Sequence, residues 1–134
     1  MKILITDDDY GWLAFHADII EKIFEGKTQP ETVFANCAAK AYDELLKHAD
    51  DPFDLILTDL QMEDAYSPKT AGEWLVEQIK TFPSFKNTKI IIISAMYNIE
   101  KIADDNGVEF IRKSSLIRDE QLLKLKLESL GLLK

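Results

Sequence analysis

Asp7, Asp8 and Asp9 follow one short apolar run, Asp59 follows another, Ser94 closes a third, and Lys113 comes just after a fourth. Brought together, these groups would have strong chemical consequences. Two carboxylates about 4 Å apart repel by about 4 kcal/mol at an effective dielectric near 20. A pocket that gathers several must be neutralised, shifted in pKa, or filled with a cation. Lys113 could neutralise one charge. A hard divalent cation could neutralise two, and Mg2+ prefers a few carboxylates together with its own waters and a phosphate oxygen. An Asp nucleophile, a hydroxyl donor and a lysine point charge then suit a phosphoryl group.

Each residue alone has a plainer explanation. Asp7 to Asp9 could cap a helix, where negative charge is stabilising. Thr58-Asp59 could be a turn, Ser94 a helix cap, and Lys113 a solvated lysine. Their joint position, each just past an apolar run, is what argues for a site.

The elements that must position them are legible. Ile3-Leu4-Ile5, Val33-Phe34-Ala35, Leu55-Ile56-Leu57, Ile90 to Ile93 and Val108 to Ile111 are short, largely β-branched runs bounded by turn signals, which predicts buried strands. The first, third and fourth lack polar alternation and belong in the middle of a parallel sheet covered on both faces. Between them recur helical stripes: Leu13, Ala17, Ile20 and Phe24; Ala38, Ala41, Leu45 and Ala49; Leu75, Ile79 and Phe82; Ile99, Ile102 and Ala103; and Leu116, Leu123, Leu127 and Leu130. Gly26, Pro30, Pro52, Pro83, Gly107 and Gly131 punctuate between elements or at an end. The result is β-α repeated five times: an α/β fold with a doubly wound parallel sheet, right-handed crossovers and the expected strand order 2-1-3-4-5. In such sheets ligands bind outside the carboxyl ends of the strands, where the acids, Ser94 and Lys113 all fall. Gln61 to Ala71 is a long, polar loop for a βα connection.

The 134 residues set the prior at one domain, 1–134, with no room for an output domain. At 46% hydrophobic and 30% charged residues the chain has globular proportions. A net charge of −8 argues against nucleic acid or an anionic membrane as the main partner, since both attract clustered Lys and Arg. The lone Cys37 excludes an internal disulfide. Neither a signal peptide nor a spanning segment is visible, so a cytoplasmic location is expected.

In their order and distances, Lys2-Ile-Leu-Ile-Thr-Asp7-Asp8-Asp9, Phe53-Asp-Leu-Ile-Leu-Thr-Asp59-Leu-Gln-Met62, Ile90-Ile-Ile-Ile-Ser94-Ala95 and Gly107-Val-Glu-Phe110-Ile-Arg-Lys113 resemble the receiver domain of two-component response regulators, over essentially the whole chain. The resemblance implies a flavodoxin-like (βα)5 fold and a phosphoacceptor at Asp59. It implies Asp7 and Asp8 as an acidic pair for Mg2+, with Asp8 nearer the metal and Asp7 acting directly or through water. The backbone carbonyl of Gln61 is implied as a further ligand, along with Asp59. Ser94 matches the switch hydroxyl and Lys113 the lysine that pairs with phosphoryl oxygens. Phe110 matches the switch aromatic, while its own setting reads equally as a core strand residue.

Three departures from the family pattern stand out. Glu63 follows Met62 where receivers usually have proline. Gly72, matching the helix-starting glycine, comes later than usual, so Asp64 to Thr70 enlarge the 63–71 loop beside Asp59. Ser114 follows Lys113 in place of a proline that is often cis. A cis bond before a non-proline residue costs about 3–4 kcal/mol, so a trans bond is expected.

The expected function is therefore a receiver in a phosphorelay. A phosphohistidine on a histidine kinase or histidine phosphotransfer protein donates to Asp59, and the change reaches a protein target through the face of helix 4, strand 5 and helix 5. The chain would accept a phosphoryl group, and could slowly dephosphorylate itself, without being a turnover enzyme. A degenerate receiver that binds protein independently of phosphorylation is the alternative. A third reading takes Asp7-x-Asp9 as the opening motif of haloacid-dehalogenase-like phosphatases, but no further acidic motif stands in the right late position. Finally, Leu122, Leu125, Leu132 and Leu133 form a second apolar set near the C-terminus, which suggests either a generously packed helix end or a homodimer contact through helix 5.

Overall fold

A computed structural model of the chain describes residues 1–62 and 70–134. The expected enlarged loop, 63–71, therefore lies almost wholly outside the described residues. Strands β1 (Lys2–Thr6), β2 (Glu31–Ala35), β3 (Leu55–Thr58), β4 (Lys89–Ser94) and β5 (Glu109–Arg112) form one sheet in the order β2-β1-β3-β4-β5. All four pairings are parallel. The helices are α1 (Tyr10–Ile23), α2 (Ala38–Lys47), α3 (Ala71–Thr81), α4 (Ile99–Asn106), α5 (Lys113–Arg118) and α6 (Gln121–Ser129).

Alternation along the strands sorts side chains onto two faces. Leu4, Ile56, Ile90 and Ile92 pack with Leu45 of α2, Leu75 and Ile79 of α3, and Ile102 of α4. Ile3, Ile5, Leu55, Leu57, Ile91, Ile93 and Ile111 pack with Leu13 and Ile20 of α1, Leu116 of α5, and Leu123 and Leu127 of α6. Three layers with helices on both faces follow. This is why the central strands carry no polar alternation.

Helix ends follow local chemistry. Asp9 caps α1: its Oδ1 accepts from Gly11 N at 2.8 Å. Gly107 ends α4 at φ 66°, a left-handed conformation that glycine adopts without steric cost. No helix among the described residues is long and apolar enough to cross a membrane.

One expectation needs correction. The final leucine stripe reads as a single helix, yet the chain breaks it into α5 and α6. Asp119 is extended (φ −147°, ψ 95°), and its Oδ1 accepts from Gln121 N at 3.0 Å in the turn that leads into the new helix. Leu116 and Leu123 are seven residues apart, about two helical turns, so the interruption leaves no mark on the stripe. The fold is thus (βα)5 with its last helix in two pieces. The second apolar set is largely internal. Leu133 is buried, and Leu122 and Leu132 pack against the core; Leu125 alone of the four is exposed.

Candidate functional site

Three strands deliver the candidate groups by simple alternation. Ile3 and Ile5 point to the face covered by α1, α5 and α6, so Asp7, two residues on, points the same way. Leu55 and Leu57 do this for Asp59, and Ile111 for Lys113. The ladder carries on past the strand ends: Asp59 N donates to Thr6 O at 3.0 Å, and Asp7 N donates to Ala35 O at 3.2 Å. Thr6 and Thr58 are paired in register, so the next residues, Asp7 and Asp59, are neighbours.

Lys113 joins them. Its Nζ donates to Asp59 Oδ2 at 2.9 Å and makes an ion-pair contact with Asp7 Oδ2, also at 2.9 Å. All three side chains are buried, with Asp7 at 0%, Asp59 at 6% and Lys113 at 9% exposure. Asp59 Oδ1 accepts from Leu60 N at 2.7 Å, and Asp7 Oδ1 accepts from Asp9 N at 3.0 Å. Asp8 is partly exposed and completes the cluster: one oxygen each from Asp7, Asp8 and Asp59 lie within 4.8 Å of one another. Asp9 does not join. Its carboxylate serves the α1 cap, so the plainer explanation of the acidic run holds for that residue alone.

Electrostatics follow from this crowding. Burial pushes the Asp7 carboxyl above its ordinary range; its bonds to Lys113 and Asp9 N pull the other way, and Asp59 adds repulsion. Burial on its own would lower the Lys113 ammonium. The pairings with Asp7 and Asp59 outweigh it and hold Lys113 above its usual value, firmly charged.

Two residues outside the sequence reading belong here. Lys113 Nζ lies 4.6 Å from the centroid of the Trp12 ring. His16, one turn further along α1, is buried at 2% exposure; burial, reinforced by Lys113, lowers its pKa to about 4. The available signal was their i, i+4 spacing just after the acidic run.

Three carboxylates against one ammonium leave two negative charges uncompensated. All the donors are hard oxygens, so the residues fit a divalent cation such as Mg2+ or Mn2+.

Solved structures share this architecture. The phosphorylated cyanobacterial phytochrome response regulator RcpA is 25% identical, covering 95% of this chain and 91% of its own, at a TM-score of 0.70. This chain has the fold of these receiver domains. The Mn2+-bound form of response regulator Rcp1 is 20% identical, covering 98% and 94%, at 0.69. The chemotaxis response regulator CheY4 of Vibrio cholerae is 19% identical, covering 90% and 95%, at 0.64. No protein-family model and no curated protein sequence matches the chain.

The other expected residues of the receiver take these places. Ser94 is buried at the end of β4, where its Oγ accepts from Met96 N at 3.2 Å, and a cavity of about 100 Å3 opens between Ser94, Ala95, Arg112 and Ser114. Its hydrogen bond is thus made within its own turn rather than to the carboxylate cluster, and its hydroxyl proton is still available to donate. Ser94 is the last residue of β4, in register with Arg112 of β5 and so at the same sheet edge as Lys113. Phe110 is half-buried, packed against the α2–α4 side, with the Arg112 guanidinium 5.9 Å from its ring. Gln61 is exposed, two residues past Asp59. Lys113 meets both acids although Ser114 replaces the usual proline.

Proposed function

We propose that this chain is a phosphoacceptor of two-component signalling, modified on Asp59 by a phosphohistidine of a histidine kinase or histidine phosphotransfer protein. The observation that carries this reading is the single ammonium, Lys113 Nζ, held 2.9 Å from both Asp59 Oδ2 and Asp7 Oδ2. In the transfer a carboxylate oxygen of Asp59 forms a bond to phosphorus while the phosphorus–nitrogen bond breaks, and the imidazole leaves. Bound Mg2+, held by Asp8, Asp59, Asp7 and the Gln61 carbonyl, would screen the phosphoryl oxygens.

Lys113 has the next role. Once Asp59 is an acyl phosphate, its carboxyl oxygens no longer carry a full charge, and the ammonium transfers its hydrogen bond to a phosphoryl oxygen. Ser94 turns its free proton toward the same group. That biases a pre-existing two-state equilibrium toward the form in which the β4 end is drawn inward, with Phe110 following. The face of α4, β5 and the last helix, here in its two pieces α5 and α6, then presents the altered surface to a protein partner.

The test is direct. The chain incubated with Mg2+ and acetyl or carbamoyl phosphate should gain one phosphoryl group by intact mass, and Asp59→Asn should gain none. An unchanged mass in the unsubstituted chain with metal present would overturn the reading.

A further inference from the structure

We propose that Trp12 is a positioning residue for Lys113, and that its indole screens the aspartyl phosphate from water. This rests on Asp59 as phosphoacceptor. An ammonium has three donors. Asp59 and Asp7 meet Lys113 on two sides, and the Trp12 ring, 4.6 Å from Nζ, is the third group against it. The ring face carries negative quadrupole charge and attracts a cation most strongly where water is scarce, as it is around this buried lysine.

The indole is itself held in place. Phe15 packs edge-on to it at 5.2 Å and 88°, and His16 lies tilted against it at 5.5 Å. Trp12, Phe15 and His16 stand at i, i+3 and i+4 on α1, the spacing that puts side chains on one helix face. His16 is buried with Nδ1 unpartnered.

Trp12 also lines an open cleft of about 290 Å3, together with Asp9, Gly11, Phe15 and Ile117. One side chain therefore borders both Lys113 and solvent. Hydrolysis of an aspartyl phosphate needs a water oxygen to reach phosphorus as the Asp59 oxygen–phosphorus bond breaks; inorganic phosphate leaves, Asp59 regains its carboxylate, and a proton goes to solvent. Truncating the indole extends the cleft toward Lys113 and opens a path for water to phosphorus, which favours hydrolysis.

The experiment uses the full chain with acetyl phosphate and Mg2+. After reagent removal, loss of phosphoryl mass is followed for the unsubstituted chain, Trp12→Ala and Trp12→Phe. Trp12→Ala should shorten the phosphoryl lifetime at least about fivefold, while Trp12→Phe, which keeps a ring at the cleft, retains most of it. A Trp12→Ala lifetime within twofold of the unsubstituted chain overturns the screening. A second arm needs no phosphoryl group: in a Trp74→Phe background, Lys113→Met should shift the emission of Trp12, and an unchanged spectrum overturns the positioning. If Asp59 were not the acceptor, either the unsubstituted chain would gain no mass or Asp59→Asn would gain it as well, outcomes distinct from both.

Discussion

A Cβ at Gly72 would lie 2.0 Å from the carbonyl oxygen of Asp59 and 2.5 Å from Leu60 Cα. Gly72 N also donates to Leu60 O at 2.9 Å. The first turn of α3 thus rests directly on the backbone of Asp59, and only a residue without a side chain fits. Gly72→Ala should cost about 3 kcal/mol, the upper end of overpacking because backbone rather than a flexible tip is struck. It should also slow phosphorylation of Asp59. Urea unfolding with an unchanged midpoint would contradict this.

Asp7 sits in the site at a cost to stability. Burial and repulsion from Asp59 raise its carboxyl despite Lys113, so the charged form is held against its preference. Asp7→Asn should raise the thermal midpoint of the metal-free chain by about 2–4 °C while weakening divalent-cation affinity. Calorimetry with and without Mg2+ measures both. A lower midpoint in the metal-free variant would show that the Lys113 contact outweighs burial.

The strand ends were legible because alternation is rigid. Ile3, Ile5 and Asp7, then Leu55, Leu57 and Asp59, fix which face each acid leaves by, and apolar runs without alternation fix which strands are central. The helix side was less legible. The expected α1 stripe passes through Ala17, but the buried face runs through Leu13, His16, Ile19 and Ile20, and Ala17 is only half-buried. A hydrophobic count passes over histidine, so the residue facing the site was missed, and Trp12 with it. The break at Asp119 was invisible for a different reason: a two-turn spacing keeps the stripe in phase, and an Asp is as ordinary within a polar helix face as in a turn.

Lys113 compensates two buried acids, so its loss should be felt before any phosphoryl chemistry. Lys113→Met leaves Asp7 and Asp59 without their cation, and removing one member of a buried ionic group costs about 3–5 kcal/mol. Divalent cation should recover part of this, giving a larger Mg2+-induced rise in thermal midpoint for the variant than for the unsubstituted chain. Equal rises would mean that metal and lysine do not answer to the same charges.

His16 sets an acid limit on the fold. Its folded pKa of about 4 lies below the ordinary 6.5, because burial and the neighbouring Lys113 disfavour the imidazolium, with Asp59 partly opposing. The unfolded chain therefore binds the proton first. The stability that neutral His16 contributes is whole above pH 6.5 and drains away as pH falls toward 4. The gap amounts to about 3 kcal/mol for this buried ring. Asp7 acts in the opposite sense: its raised carboxyl binds a proton more readily folded than unfolded, which softens the acid end of the same curve. His16→Leu should flatten the fall in stability between pH 6.5 and 4 while leaving the Asp7 contribution. Denaturation midpoints measured across that window decide it, and a variant curve parallel to that of the unsubstituted chain would assign the acid sensitivity elsewhere.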